Sequence, residues 1–171
     1  MSMKARIILL FTGVALLLST AAVNSSAMSV ADPLHIFVLS GQSNMSGNAT
    51  VPARQTISST IFAWSAAGWT VASEPVQSSG LAGPGMGFAL ALQDLYGYGY
   101  KIGLVPCAVS GSKIEDWQRG QPIYTDCLNK TLAALATQPG TTISGVIFSQ
   151  GEANTYTQAS ADGWVASTLQ F

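Results

Sequence analysis

Three apolar runs, at residues 36–39, 102–105 and 143–149, punctuate an otherwise mixed and weakly charged chain. Each has the length and the β-branched or aromatic content of a buried strand. Each then gives way to a small polar turn: Ser40-Gly41-Gln42-Ser43-Asn44, Ser110-Gly111-Ser112 and Gln150-Gly151-Glu152. Between the runs the period changes. Residues 86–96 carry Phe88, Leu92 and Leu95 at helical spacing and stop at Gly97, a residue suited to a helix C-terminus. Residues 123–136 predict the clearest amphipathic helix, with Leu128, Leu132 and Leu135 on one face and Pro139-Gly140 as the stop. The runs 61–64 and 69–71 flank Ala66-Ala67-Gly68 and predict a short hairpin. A last helix is expected beyond Thr155.

The order strand, hairpin, helix, strand, helix, strand, helix predicts an α/β fold of parallel strands joined by helical crossovers. In such a sheet the three polar turns share one edge, the edge at which open α/β sheets bind their ligands. Together they offer a hydroxyl at Ser43, a close-approaching glycine N–H at Gly111 and a carboxamide at Gln150. A nucleophile beside two or three donors aimed at a developing oxyanion is the equipment of acyl transfer. Taken singly, the serines are equally well read as turn-formers and helix caps. The Ser43 segment is not a Gly-x-Ser-x-Gly elbow, because Met45 stands at the second glycine position.

Composition narrows the field. At 171 residues, with 48% hydrophobic and 9% charged residues, the chain suits one domain with a real core. Its net charge is −1 and no basic cluster occurs, which argues against nucleic acid as a partner. Two cysteines and one histidine, in no ligand-like spacing, give no reason to expect a metal, and no cofactor is implied.

The first 31 residues pose a separate question. Lys4 and Arg6 precede an apolar run over residues 7–18 and then small residues, the pattern of a secretory signal peptide cleaved near residues 27–31. As a helix that run reaches about 18 Å, short of the ~30 Å hydrocarbon core. Cleavage is therefore favoured over a stable membrane anchor, and residues 32–171 form the expected mature domain, secreted to the extracellular space or the periplasm. An oxidising destination would permit a Cys107–Cys127 disulfide; the alternative is that Cys107 is a small buried residue after its strand. Asn44, Asn48 and Asn129 begin Asn-x-Ser/Thr sequons, of which the first adjoins Ser43 and is expected to stay unmodified.

Three ordered blocks carry a family resemblance: Gly41-Gln42-Ser43-Asn44-Met45, residues 103–117 around Ser110-Gly111-Ser112, and residues 148–154 around Gln150-Gly151-Glu152. They resemble the blocks of SGNH-type hydrolases, in particular the sialate O-acetylesterase and acetylxylan esterase-like branch. The resemblance implies a flavodoxin-like three-layer α/β/α sandwich with a mostly parallel sheet. It also implies a serine esterase acting through an acyl-enzyme on acetylated carbohydrate. Ser43 would be the nucleophile, and the Ser43 N–H, Gly111 and Gln150 would form the oxyanion hole. Gln42, Asn44 and Glu152 would support the site. Trp64, Trp69 and Trp117 could stack on sugar faces.

The sequence departs from the family in one respect. Such enzymes draw their base from a C-terminal Asp-x-x-His, whereas the single histidine here is His35. Eight residues before Ser43 along an extended strand, His35 lies roughly 20 Å or more away, far beyond hydrogen-bond reach. The expectation is a C-terminally truncated member lacking its last strand or strands. The alternative function is a non-catalytic or vestigial carbohydrate-binding protein of the same fold.

Overall fold

The computed structural model describes residues 33–77 and 80–170; the expected leader over residues 1–31 lies outside them. Five strands form one sheet, β1 (His35–Gly41), β2 (Ile61–Ser65), β3 (Gly68–Val71), β4 (Ile102–Pro106) and β5 (Thr142–Ser149), in the order β3-β2-β4-β1-β5. All neighbours run parallel except the β2–β3 hairpin. The helices are α1 (Ser43–Ser46), α2 (Pro84–Tyr96), α3 (Pro122–Ala136) and α4 (Gln158–Thr168). The predicted α/β order and the hairpin are both present.

β1 is the strand the domain is built on, paired on both sides and buried from Ile36 to Gly41. Side chains alternate across a strand, and here the alternation divides two cores. Phe37 and Leu39 join Met86 and Ala89 of α2 and Ile102 and Leu104 of β4 on one face. Ile36 and Val38 join Val105, Trp117 and Ala134 of α3 on the other. The result is the three-layer arrangement. Gly85 brings α2 close, since a Cβ there would meet Leu39 Cδ1 at 2.6 Å.

α2 begins two residues before the expected span, because Pro84 occupies its first turn, where a missing N–H costs nothing. It ends at Gly97 as expected. The buried face of α3 differs from expectation. Thr131 and Ala134 are enclosed, with Ile123, Cys127 and Leu135 packed partly against the core, while Leu128 and Leu132 are 43% and 49% exposed. The Cys107–Cys127 bond ties Cys127, on the inward face of α3, to the end of β4. β5 is also more open than its apolar sequence suggests, with Ile143 and Val146 about half exposed (48% and 55%).

Candidate active site

The three polar turns meet at the C-terminal ends of β1, β4 and β5. Their junction begins with a glycine. Gly41 has φ +127°, and a Cβ on it would come within 2.0 Å of the Ser149 carbonyl oxygen. Only glycine lets β1 leave the sheet so close to β5. The next residue confirms the closeness, since the Gln42 N–H donates to Ser149 O at 2.8 Å. The chain then winds at once into α1, where Met45 and Ser46 donate their N–H groups to Gln42 O. Ser43 is the first residue of that turn, half-buried, and its hydroxyl has no hydrogen-bond partner among the described residues.

The second turn is fastened to the first through the Gly41 carbonyl, which accepts from Val109 N–H at 2.9 Å and from Ser112 Oγ–H at 3.4 Å. Trp117 Nε1–H donates to Ser112 Oγ at 3.0 Å, so the serine bridges the indole and the end of β1. Between these anchors Gly111 adopts φ +76°, and a Cβ there would meet nothing within 4 Å. Its N–H has no partner among the described residues, and the residue is exposed.

The third turn supplies the hub. Gln150 is buried, and its Nε2 lies 2.7 Å from Asn154 Oδ1, 3.1 Å from Ser112 O and 3.4 Å from Gln42 Oε1. Its own oxygen accepts from Trp164 Nε1–H of α4 at 2.6 Å. Gln42 Oε1 also accepts from Ala153 N–H at 3.1 Å. One side chain thus touches all three turns. Its two amide hydrogens face three acceptors, of which Gln42 Oε1 is the most distant and weakest. Glu152 is exposed and accepts from Asn44 Nδ2–H, and Asn44 Oδ1 accepts from Asn48 Nδ2–H at 2.9 Å. Gln42, Asn44 and Glu152 therefore brace the serine turn.

Four side chains of this network carried no role in the sequence reading. Asn154 is 1% exposed, accepts from Ile114 N–H at 2.9 Å, and donates to both Glu115 carboxylate oxygens at 3.1 and 3.0 Å and to Ser160 Oγ at 3.0 Å. Glu115, Ser160 and Trp164 complete that set. Asn154 closes the same sequence block as Gln150, four residues on, which was its only signal.

His35 sits at the opposite end of β1, at the start of the strand whose far end leads to Ser43. Its ring stacks on Tyr100, and its Nδ1 is 3.2 Å from Ser144 Oγ. The strand geometry that excludes it as a base is observed. Cys107 and Cys127 are joined in a disulfide. Trp117 is not a sugar platform: it is fully buried, edge-on to Phe148 at 5.7 Å. Trp64 and Trp69 form an edge-to-face pair at 5.2 Å and pack partly against the α3-side core. Trp69 lies over Gly103, where a Cβ would meet its ring at 2.7 Å, so this pair is packing as well.

Residues 33–171 match the family model described as carbohydrate esterase, sialic acid-specific acetylesterase. The chain is 34% identical over 145 residues to a probable carbohydrate esterase of Arabidopsis thaliana, covering 71% of this chain and 55% of that protein. It thus spans about half the length of this curated relative. The crystal structure of the Arabidopsis protein superposes with a TM-score of 0.72 at 30% identity, over 81% of this chain and 66% of that one. The crystal structure of NanS superposes with a TM-score of 0.59 at 17% identity, over 81% and 63%, a likeness of fold.

Proposed function

Because this chain belongs to the carbohydrate esterase family of sialic acid-specific acetylesterases, we propose that its three converging turns form a site for hydrolysing O-acetyl esters of carbohydrates, with Ser43 as nucleophile. One observation carries this reading: among the described residues, Ser43 Oγ and Gly111 N–H stand without partners on turns that are otherwise fastened together. Ser43 Oγ attacks the acetyl carbonyl, and the tetrahedral oxyanion accepts from the Ser43 and Gly111 N–H groups. Gln150 joins them by giving up its 3.4 Å contact with Gln42 for the ligand oxygen. The C–O bond to the sugar then breaks and the sugar leaves as its alcohol, taking the proton that Ser43 lost. Water attacks the acetyl-serine, restoring the hydroxyl and releasing acetate and a proton to solvent. Each oxyanion donor is typically worth about 3 kcal/mol of barrier.

The base is the weak link in this chain. Its single histidine, His35, lies at the wrong edge of the sheet. A site with oxyanion donors but no base keeps only a residual rate enhancement. That observation favours, as a second reading, a carbohydrate-binding protein with little turnover. Acetyl release from an acetylated oligosaccharide decides between them, measured with and without added imidazole as a diffusible base, and with Ser43→Ala as the blank. Slow release that depends on Ser43 and rises with imidazole is the expected result. Equal rates for the chain and for Ser43→Ala under both conditions would overturn the esterase reading. Export to the extracellular space or periplasm belongs to the same proposal, supported by the leader-like residues 1–31 and by the Cys107–Cys127 bond.

A further inference from the structure

We propose that a stack of aromatic rings at the sheet edge opposite Ser43 is a second carbohydrate-binding surface. Its core is a ladder of three rings. His35 lies on Tyr100 with centroids 3.9 Å apart and planes 11° from parallel, and Tyr96 lies against Tyr100 at 4.9 Å and 27°. Tyr100 is the middle ring. His35 is braced by Ser144 at 3.2 Å, so the inner end of the ladder is fixed to β1 and β5. The outer end is open: Tyr96 is 61% exposed and Tyr98, two residues on, is 72% exposed.

The local sequence explains the exposure. Tyr96-Gly97-Tyr98-Gly99-Tyr100 alternates tyrosine with glycine from the last residue of α2 toward β4. Gly97 turns the chain at φ +86°, and a Cβ on Gly97 or Gly99 would meet nothing within 4 Å. No side chain from these positions covers the rings. Tyrosine offers broad contact area at a low cost in side-chain entropy, with a hydroxyl at the rim. The exposed rings of Tyr96 and Tyr98, each carrying a hydroxyl, suit the C–H-lined face of a pyranose ring. The class of ligand rests on the carbohydrate-esterase reading above; the surface itself does not. Its place across the sheet from Ser43 makes it an anchor for a polymer rather than part of the acetyl site.

Native affinity electrophoresis tests this, with the full chain run in gels containing soluble acetylated xylan. The wild type should be retarded. Tyr96→Ala and Tyr98→Ala should weaken apparent affinity about tenfold each, and Tyr96→Phe should keep it. Circular dichroism verifies that the variants fold. Wild-type mobility unaffected by xylan, or retardation unchanged in the Tyr96→Ala/Tyr98→Ala double variant, would overturn the proposal. So would a change of sedimentation, rather than of retardation, on substituting the tyrosines, which would assign the patch to self-association. Acetyl release is read separately, so a failure of the Ser43 site leaves this result interpretable.

Discussion

Gly41 and Asn154 hold the site together for opposite reasons, one by lacking a side chain and the other through a fully used one. At Gly41 a methyl group would overlap the Ser149 carbonyl at 2.0 Å in a backbone conformation unfavourable to any L-residue. Gly41→Ala should therefore lower unfolding free energy by about 3 kcal/mol or more, seen as a shifted urea midpoint. Asn154→Ala strips a partner from Ile114 N–H, from Gln150 and from Glu115. At about 1–3 kcal/mol for a buried polar group left unmade, a loss of about 3 kcal/mol is expected. Asn154→Asp restores the acceptor for Ile114 and Gln150 but sets a carboxylate against Glu115, so it should not restore stability. The serine turn was legible in the sequence because Gly41, Gln42 and Ser43 are neighbours along the chain. The Asn154 contacts were not, because its partners at Ile114 and Glu115 are 40 and 39 residues away and only the fold brings them in.

Elements were legible where a local rule decided them, and illegible where two local patterns competed. Helical spacing in α3 supports two adjacent stripes, one through Leu128, Leu132 and Leu135 and another through Ile123, Cys127, Thr131 and Ala134. Hydrophobicity alone selects the leucines. The fold buries the second stripe and keeps only Leu135 of the first against the core; the Cys107–Cys127 bond and Lys130 Nζ–H donating to Pro106 O at 2.8 Å fasten that arrangement to β4. Leu132→Ala should accordingly cost less than about 1 kcal/mol, whereas Leu104→Ala, fully buried in β4, should cost about 2–5 kcal/mol; thermal melts of the two variants compare them directly. Replacing both cysteines by serine should cost about 3 kcal/mol for a link spanning 20 residues. The fold should survive that change, with far-ultraviolet dichroism unaltered, because Trp117 and Ala134 still bury the same face. The β2–β3 hairpin raised no such ambiguity, since two short apolar runs flank Ala66-Ala67-Gly68 and pair antiparallel across it.

For the molecule as a whole, strand order rather than strand identity decides which surfaces are sheltered. The sequence offers three apolar strands, at residues 36–39, 102–105 and 143–149, but does not say which of them is central. The pairing makes β1 central and leaves β5 as an outer strand of the described sheet. β5 is eight residues long and has neither a charge nor a proline, the features that ordinarily protect an edge. Beside it Val38, Trp117, Leu128, Ile143 and Val146 line an apolar groove of about 170 Å³. Among the described residues this edge and the apolar groove beside it are uncovered, a combination that favours association of this 171-residue chain with other chains. Val146→Lys adds a charge at a position 55% exposed, so it should change unfolding free energy by no more than about 0.5 kcal/mol. It should also suppress concentration-dependent association in sedimentation velocity. If the variant associates as readily as the wild type at matched concentration, the self-association arises elsewhere, and the aromatic ladder at Tyr96 and Tyr98 becomes the surface to substitute next.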